Sequence, residues 1–408
     1  MKTKITKLAV LSLALVILTT PITACKKKAD TSDSTTTQTS TEATTTTEAP
    51  TEPVTEPTTQ ISYETADEDI LSALFDPNNP MEINPFTGLQ NMDPENVGKR
   101  SCGIVVSNSP EANPSRGIGA ADVIYEYEVE DVTRMLCMFA DISSMPQIGS
   151  LRSGRVCAAD LCCGTNSFFI SWGYDKTRVP GHVSANGINW MDLNNYDAGK
   201  NYSDNGDGTV TVNSKNCFGW RDKTWNSSRH APHDAVSDGE HCKAGLEYLG
   251  FEMNGVTPLL FHFVPYGEAP MDGAIPCTDL TVYFTQSNPD AHFVYNETDS
   301  CYYKSQRHDK AQIDETTGEQ IHFENVIVLY VDIRNRNDGA GHKDFYFELG
   351  GGGFYITNGQ LISILWQKPT PQDQIKLYTP DGEELKVNAG KSYVCLVDID
   401  DLDKTYWS

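Results

Sequence analysis

The amino-acid sequence predicts an α+β protein in which a mixed α/β module is followed by a mainly antiparallel β module. Two observations carry this prediction. Between residues 82 and 270, short β-branched and aromatic runs bounded by Pro, Gly and Asn alternate with helical patterns. From about residue 278, the apolar runs have strand length, and Asn358-Gly359 and Asp381-Gly382 are hairpin-turn dipeptides. Turn signals every ~8–12 residues favour a small β-sandwich or an open barrel for residues 271–408.

Residues 1–24 have the pattern of a bacterial lipoprotein signal peptide. Three lysines precede an apolar run at residues 8–18, which is shorter than the about 20 residues that span a bilayer. The small residues before Cys25 resemble a lipobox, so we expect cleavage before Cys25, lipidation of its thiol and further acylation, for example with palmitate. Ordinary cleavage that leaves Cys25 as a free thiol is the alternative.

Residues 25–65 form a Thr-, Pro- and Glu-rich segment, in which 14 of residues 31–60 are Thr. Such a composition buries too little apolar surface to offset the entropy of ordering, which predicts a disordered tether. A tether behind a lipidated Cys25 would place the folded part on the extracytoplasmic face of the cell membrane. Its length suits the thick envelope of a Gram-positive-type bacterium.

The chain is strongly acidic, with 31 Lys and Arg against 56 Asp and Glu and a formal net charge of −25. Residues 1–60 carry six basic and six acidic residues, so residues 61–408 hold 25 basic and 50 acidic groups and carry the whole charge. A surface of this sign repels phosphate backbones, and we find no basic patch in the sequence. Nucleic acid is therefore excluded as a predicted partner.

The predicted elements follow the apolar pattern. Helices are expected at residues 68–74, 151–163 and 239–249. Strands are expected at residues 103–106, 123–128, 133–142, 168–172, 280–285, 292–295, 301–304, 326–333, 345–349, 353–357, 360–366 and 393–397. Residues 204–208 are a turn signal ahead of a short strand, and a hairpin is favoured there over a calcium loop.

Several motifs in this order resemble the YerB-like lipoprotein family, whose members have an N-terminal and a C-terminal module and no agreed activity. The resemblance implies modules at residues 82–270 and 271–408. The motifs are Asn84-Pro85-Phe86-Thr87-Gly88-Leu89, Ala121-Asp122-Val123-Ile124-Tyr125-Glu126, Ile148-Gly149-Ser150-Leu151-Arg152-Ser153-Gly154-Arg155, Trp220-Arg221-Asp222-Lys223, His230-Ala231-Pro232-His233, Asn358-Gly359-Gln360 and Asn388-Ala389-Gly390-Lys391.

A first candidate site combines acidic and basic residues. Glu126 and the glutamates two and four residues further on alternate along a predicted strand, so their side chains should share one side. Neighbouring negative charges destabilise a strand unless cations pair with them. Arg134, Arg152 and Arg155 are the expected partners. We interpret Arg134 as part of a structural ion-pair network. For Arg152 and Arg155 we favour binding of a ligand or partner.

A second candidate is the His230 and His233 pair, with Arg221 and Asp222 in a neighbouring motif. The two imidazoles could converge on zinc, with Asp222, Asp234 or Glu240 as a third ligand. Histidines that order the loop through hydrogen bonds are the favoured alternative, since no HExxH or comparable signature is present. No cofactor is therefore predicted, and zinc is kept as the alternative.

Two residue classes leave alternatives open. The aromatic residues between positions 190 and 225 suit stacking on sugars, but a satellite core under the loop is favoured. Ten cysteines beyond Cys25 permit disulfides but show no zinc spacing.

The predicted function is a non-catalytic envelope lipoprotein. It would bind the lipid bilayer through the acyl chains on Cys25, and a cell-wall polymer or envelope protein through the Arg and Glu residues of its first module. The alternative is an envelope hydrolase, metal-assisted through His230 and His233 and using the same residues.

Overall fold

The computed structural model describes residues 68–199, 201–206, 210–213, 215–223, 225, 229–285, 290–307 and 309–408, which belong to one compact unit. The predicted signal peptide, Cys25 and the tether lie outside these residues. Within the described ranges, no helix has the length and apolar character needed to cross a membrane. The fold is α+β and mostly β, with few helices.

The described residues contain four short α-helices: α1 (Glu68–Leu74), α2 (Val156–Gly164), α3 (Val179–Ala185) and α4 (Gly239–Tyr248). Helix α4 begins where the Asp238 side chain accepts from the His241 amide, as an N-cap does. Helix α2 begins later than predicted because the amides of Leu151 and Arg152 donate to the carbonyls of Ala235 and Val105. Helix α3 was not predicted.

The first half of the chain contains thirteen of the described strands: β1 (Glu82–Ile83), β2 (Gln90–Met92), β3 (Cys102–Ser107), β4 (Val123–Val129), β5 (Val132–Phe139), β6 (Ile148–Gly149), β7 (Phe168–Ser171), β8 (Trp190–Asp192), β9 (Tyr202–Asp204), β10 (Val210–Val212), β11 (Trp220–Arg221), β12 (Ala235–Ser237) and β13 (His262–Val264).

The second half contains the other fifteen described strands: β14 (Ile275–Pro276), β15 (Asp279–Tyr283), β16 (Asp290–Asn296), β17 (Cys301–Gln306), β18 (Lys310–Ala311), β19 (His322–Phe323), β20 (Asn325–Val331), β21 (Ile333–Asn335), β22 (Lys343–Phe345), β23 (Gly351–Thr357), β24 (Gln360–Gln367), β25 (Lys376–Tyr378), β26 (Lys386–Asn388), β27 (Ser392–Asp398) and β28 (Tyr406–Trp407).

The main sheet has eleven strands and draws on both halves of the chain. Its order is β14-β24-β23-β20-β27-β4-β5-β3-β7-β8, and β25 pairs with β24. Strand β27 lies parallel to both β20 and β4, so it joins the strands before residue 270 to those after it. Strands β4 and β5 form an antiparallel hairpin at the centre.

The second half does not form the separate sandwich or barrel that we expected. Strands β20, β23, β24 and β27 enter the main sheet; β20 and β27 are buried on both faces, whereas β24 alternates between buried and exposed residues. Strands β15 to β19 and β28 form a second, antiparallel sheet of six strands. The strand predicted at residues 345–349 was also wrong beyond Phe345, since Phe347–Leu349 is a 3₁₀-helix.

The core lies on both faces of the main sheet. Successive residues such as Ile104 and Val105, or Ile124 and Tyr125, point to opposite faces. One face packs against the six-stranded sheet and α4, and the other packs against α2 and α3. The central strands thus lie between two layers.

Part of the aromatic loop forms the predicted satellite core, whereas Tyr196, Phe218 and Trp190 pack in the two main cores. Trp220 and Trp225 are buried together with Ala198 and Val236, and Tyr202 packs against them. Strands β9 and β10 pair antiparallel there, which confirms the predicted hairpin.

Candidate functional site

Glu126 lies at the centre of a closed polar network. Its carboxylate is fully buried and accepts hydrogen bonds from the side chains of Asn108 at 2.6 Å, Thr133 at 2.5 Å and Tyr393 at 2.6 Å. The ammonium of Lys304, also fully buried, is 3.4 Å away. Burial acts to raise the pKa of Glu126, but Lys304 and the three donors lower it further, so the carboxylate stays ionised. This network is structural, since solvent does not reach it.

The next two glutamates also have cationic partners. Lys343 donates to Glu128 at 2.7 Å, although burial keeps the pKa of Glu128 above its ordinary value. Strand β4 ends at Val129, so Glu130 lies in the turn and not in the predicted row. Glu130 pairs with Arg155 and, at 3.4 Å, with Arg134. Arg134 and Arg155 are therefore both ion-paired to Glu130, an arrangement of the kind expected for Arg134. For Arg155, binding of a ligand or partner was favoured instead and stays a prediction.

Arg221 and Asp222 belong to a series of ion pairs at strands β11 and β12. Arg221 donates to Asp234 at 2.7 Å, and Asp222 accepts from Arg116 at 2.6 Å. Lys223 also pairs with Asp234, whose carboxylate is fully buried. Arg221 and Asp222 thus hold two segments of chain together.

His230 and His233 lie at the surface end of this region. The amide of His233 donates to the carbonyl of His230, and its Nδ1 lies 3.4 Å from the Ser109 hydroxyl. Asp222 and Asp234, named above as zinc ligands, are engaged by arginines. In the part of the chain that the structure describes, no group of three His, Cys, Asp or Glu side chains could hold a metal ion. Zinc at this pair stays a prediction.

A cluster of cations surrounds the loop at residues 108–114. We call Arg152, Arg229, Arg307 and His233 the arginine cluster. Arg229 donates to the carbonyl of Pro114 at 2.5 Å, and Arg307 donates to the carbonyl of Asn108. The amide of Arg152 is bonded to β3, immediately before this loop. His233 reaches the loop at Ser109, so the side chains of Arg229, Arg307 and His233 contact the loop, and Arg152 follows the segment beside it.

The three guanidiniums of the arginine cluster have no carboxylate partner within 4.0 Å among the described residues. Burial lowers the pKa of each, but arginine stays charged at neutral pH. The main acidic influences are Glu130 on Arg152, Glu126 on Arg307 and Glu315 on Arg229, and the exposed Glu111 acts on both Arg152 and Arg307. The cluster is consequently a positive region in a protein of net charge −25.

Each of the three arginines also has a buried nitrogen without a hydrogen-bond partner: Nε of Arg152, Nη1 of Arg229 and Nε of Arg307. A buried N–H without an acceptor costs about 1–3 kcal/mol. In folded proteins such buried groups are usually paired with protein atoms or ordered water.

Burial and the charges of Arg152 and Arg229 lower the pKa of His233, which Glu111 opposes. The imidazole is therefore neutral at pH 7. Protonation at lower pH would add a further positive charge to the arginine cluster.

The ten described cysteines are unpaired, and nine of them are buried. Burial raises the pKa of the nine buried thiols, for example that of Cys242 to about 12 and that of Cys163 to about 11. Thiols of this kind are poor nucleophiles, so they pack as small apolar side chains.

Comparison with known proteins identifies the family. A model described as "Protein of unknown function (DUF3048) N-terminal domain" matches residues 86–252, and the model of the corresponding C-terminal domain matches residues 280–394. The chain belongs to this YerB-like DUF3048 family. The resemblance predicted from the sequence motifs is confirmed.

Two relatives extend the comparison. The chain is 24% identical over 319 residues to "Putative lipoprotein YerB" of Bacillus subtilis, covering 77% of this chain and 85% of that protein. A crystal structure of the YerB protein from Bacillus subtilis superposes with a TM-score of 0.64 at 22% identity, covering 79% of this chain and 98% of that one. The similarity to this crystal structure supports the fold described above.

Sequence reasoning found Arg152 and His233 of the arginine cluster but missed Arg229 and Arg307. Both are isolated basic residues outside any motif quoted above. The signal that could have found them is the scarcity of basic residues in an acidic chain, but only the fold shows which ones lack acidic partners.

Proposed function

We propose that this protein is a membrane-anchored extracytoplasmic lipoprotein that binds a cell-wall polymer through the arginine cluster. The name of the Bacillus subtilis relative describes a lipoprotein, and the predicted signal peptide and Cys25 agree with that description. The anchor and the tether would hold the folded unit beside the wall.

One observation carries the choice of binding site. Most arginines in the candidate region are neutralised by carboxylates, such as Arg134 and Arg155 by Glu130, whereas Arg152, Arg229 and Arg307 are not. The protein has many acidic residues, yet none of the described ones forms an ion pair with these three arginines. Arginines without an ion-pair partner favour binding of an anionic ligand.

Binding is favoured over hydrolysis. The Ser109 hydroxyl and His233 Nδ1 are 3.4 Å apart, beyond the ~2.6–3.2 Å of an activated nucleophile and base. No described carboxylate pairs with His233 to orient it. An enzyme of the predicted metal-assisted class would need a third ligand that the described residues do not provide.

Replacing Cys25 tests the anchor. Cys25→Ser should move the protein from the membrane fraction to the soluble fraction, because the thiol that accepts the lipid is lost. Cys217→Ser is the matched control, since Cys217 is a half-buried free thiol, and it should leave the distribution unchanged. Membrane retention of Cys25→Ser would contradict the anchor.

Co-sedimentation tests the wall ligand. The full chain carrying Cys25→Ser should sediment with purified cell wall, and adding salt should release it because the attraction is ionic. Arg152→Gln should reduce the sedimented fraction, whereas Arg178→Gln, at a 57% exposed side chain, should not. Equal sedimentation of both variants would refute the site. Wall fragments released into the supernatant would instead support the hydrolase.

A further inference from the structure

A lysine amine and a side-chain amide lie in contact inside the protein. The Nζ of Lys304, on β17, donates to Oε1 of Gln312 at 2.6 Å, and both side chains are buried. Because a C=O bond is about 1.23 Å long, the amide carbon Cδ of Gln312 lies no more than about 3.8 Å from this nitrogen. A potential nucleophile is therefore held next to an electrophilic carbon.

Glu126 provides the base that this amine needs. Its carboxylate lies 3.4 Å from Nζ of Lys304, and both groups are fully buried. Their opposite charges draw them closer during thermal motion, so a proton can pass from the ammonium to the carboxylate. Burial lowers the pKa of Lys304, which favours the neutral and nucleophilic amine, although the charge of Glu126 opposes this shift.

Asn108 holds the nitrogen of the Gln312 amide close to the same carboxylate. Its Nδ2 donates to Glu126 Oε1 at 2.6 Å, and its Oδ1 accepts from Gln312 Nε2 at 3.2 Å. The Gln312 amide is thus held at both ends, by Lys304 on its oxygen and by Asn108 on its nitrogen. Fixing the amine and the amide in contact favours reaction, because folding has already removed the entropy of bringing them together.

Aromatic side chains separate the site from solvent. The ring centroids of Tyr393 and Phe293 lie 5.1 Å and 5.9 Å from Nζ of Lys304, and both rings are fully buried. Exclusion of water suppresses the competing hydrolysis of the Gln312 amide.

We propose that Lys304 and Gln312 join through an intramolecular isopeptide bond and that Glu126 moves the protons. Lys304 gives one proton to Glu126 and attacks Cδ of Gln312 as the neutral amine. The Nζ–Cδ bond forms, Glu126 passes its proton to Nε2 and accepts a second one from Nζ, and the Cδ–Nε2 bond breaks. One ammonia molecule leaves, and Glu126 ends as a neutral carboxylic acid. The step balances without an oxidant or a further reactant.

The ion pair of Glu126 and Lys304 described above is the state that precedes this reaction. The new bond would join β17 to the residue that follows β18, in the six-stranded sheet. It would restrict the unfolded chain and so stabilise the folded one, as a disulfide does. This inference goes beyond the proposed function and does not depend on it.

Mass spectrometry of peptides from the full chain carrying Cys25→Ser tests the bond directly. Trypsin cuts after Arg307 and Lys310, which lie between the two joined residues. The peptide that ends at Arg307 should therefore stay attached to the one that begins at Ala311, with the loss of one ammonia molecule. Cleavage after Lys304 should not occur, because its amine is blocked.

Two variants assign the roles. Lys304→Met and Glu126→Gln should each release the two peptides separately, because the first lacks the amine and the second lacks the base. Lys368→Met is the matched control and should keep the bond. Lys368 is also buried, but its Nζ donates to three backbone carbonyls. A melting transition shows which variants are folded, and Glu126→Asp, which keeps a base and should still react, replaces Glu126→Gln should that variant unfold.

Each outcome decides one part of the proposal. A peptide that ends at Lys304 as the main product from the folded parent protein would overturn the isopeptide bond. A complete bond in folded Glu126→Gln, or none in folded Glu126→Asp, would overturn the role of Glu126. A bond from Lys304 to Asn108 would overturn the choice of Gln312. Since none of these measurements involves the cell wall, the isopeptide bond and wall binding can fail separately.

Discussion

The Glu126 network and the arginine cluster contain similar residues but treat their charges in opposite ways. In the first, the carboxylate of Glu126 receives three hydrogen bonds and a buried lysine. In the second, the guanidiniums of Arg152, Arg229 and Arg307 have no described acid partner. Asn108 contacts both regions, since its side chain donates to Glu126 and its carbonyl accepts from Arg307.

The difference distinguishes charged residues that stabilise the fold from charged residues that are proposed to bind a ligand. Removing one partner of a buried ion pair strongly destabilises a protein, because the other charge stays buried without compensation. Removing a cation that has no acidic partner leaves no such charge behind. Substitutions in the two regions should therefore differ most in their effect on stability.

The largest effect is expected from Lys304→Met, which leaves the Glu126 carboxylate buried without its cation. The free energy of unfolding should fall by about 3–5 kcal/mol, measured by denaturant titration at pH 7. With Lys304 gone, burial would raise the pKa of Glu126 above its unfolded value. The variant should then regain stability as the pH falls from 7 to 5.

The double variant Glu126→Gln with Lys304→Met is the control for that experiment. It removes both charges and should recover part of the loss, and its stability should not rise toward pH 5. If Lys304→Met unfolds like the parent protein at pH 7, the network is not the structural element described above.

A smaller effect is expected from Arg155→Gln. Arg155 is buried and pairs with the partly exposed Glu130, so we expect a loss of about 1–2 kcal/mol in the same titration. Arg152→Gln should change the free energy of unfolding by less than about 0.5 kcal/mol. Equal losses in the two variants would remove the distinction between paired and unpaired arginines.

The smallest effect concerns pH. Since the folded state lowers the pKa of His233, its protonation costs stability as the pH falls through the unfolded value of about 6.5. Arg152, Arg229 and His230 oppose protonation, and Glu111 favours it. Sulfate carries two negative charges at pH 5.5 and at pH 7.5. If it binds at the arginine cluster, it should reduce the repulsion between the protonated His233 and the arginines.

Calorimetric scans with and without sulfate measure the effect. The rise in melting temperature should be about 2 °C larger at pH 5.5 than at pH 7.5. His233→Gln should remove this difference but keep the rise at pH 7.5. A rise that does not depend on pH in the parent protein would exclude His233 from the site.

Local patterns predicted most strands and the α+β class, because period-two apolar alternation depends on neighbouring residues alone. Pairing over long distances was not predictable in this way. Lys304 and Lys343, the partners of Glu126 and Glu128, lie more than 170 residues further along the chain. Arg134 and Arg155 were foreseen as partners of the glutamate row because they follow it closely in sequence.

The candidate site was predictable only in part for a related reason. Arg152 and His233 lie in recognisable motifs, but the property that distinguishes them is the absence of a described acid partner. That property depends on where all the carboxylates lie in three dimensions, as the capture of Asp222 by Arg116 illustrates.

The position of β27 constrains how this protein is made. This strand is the last one of the main sheet in chain order, yet it lies between β20 and β4. Until it arrives, the edge of β4 has no neighbour and presents open hydrogen-bonding groups. Completing the sheet requires contacts between residues almost 270 positions apart, which makes folding slow. A chain that crosses a membrane unfolded would have to deliver residues 392–398 before this sheet could close.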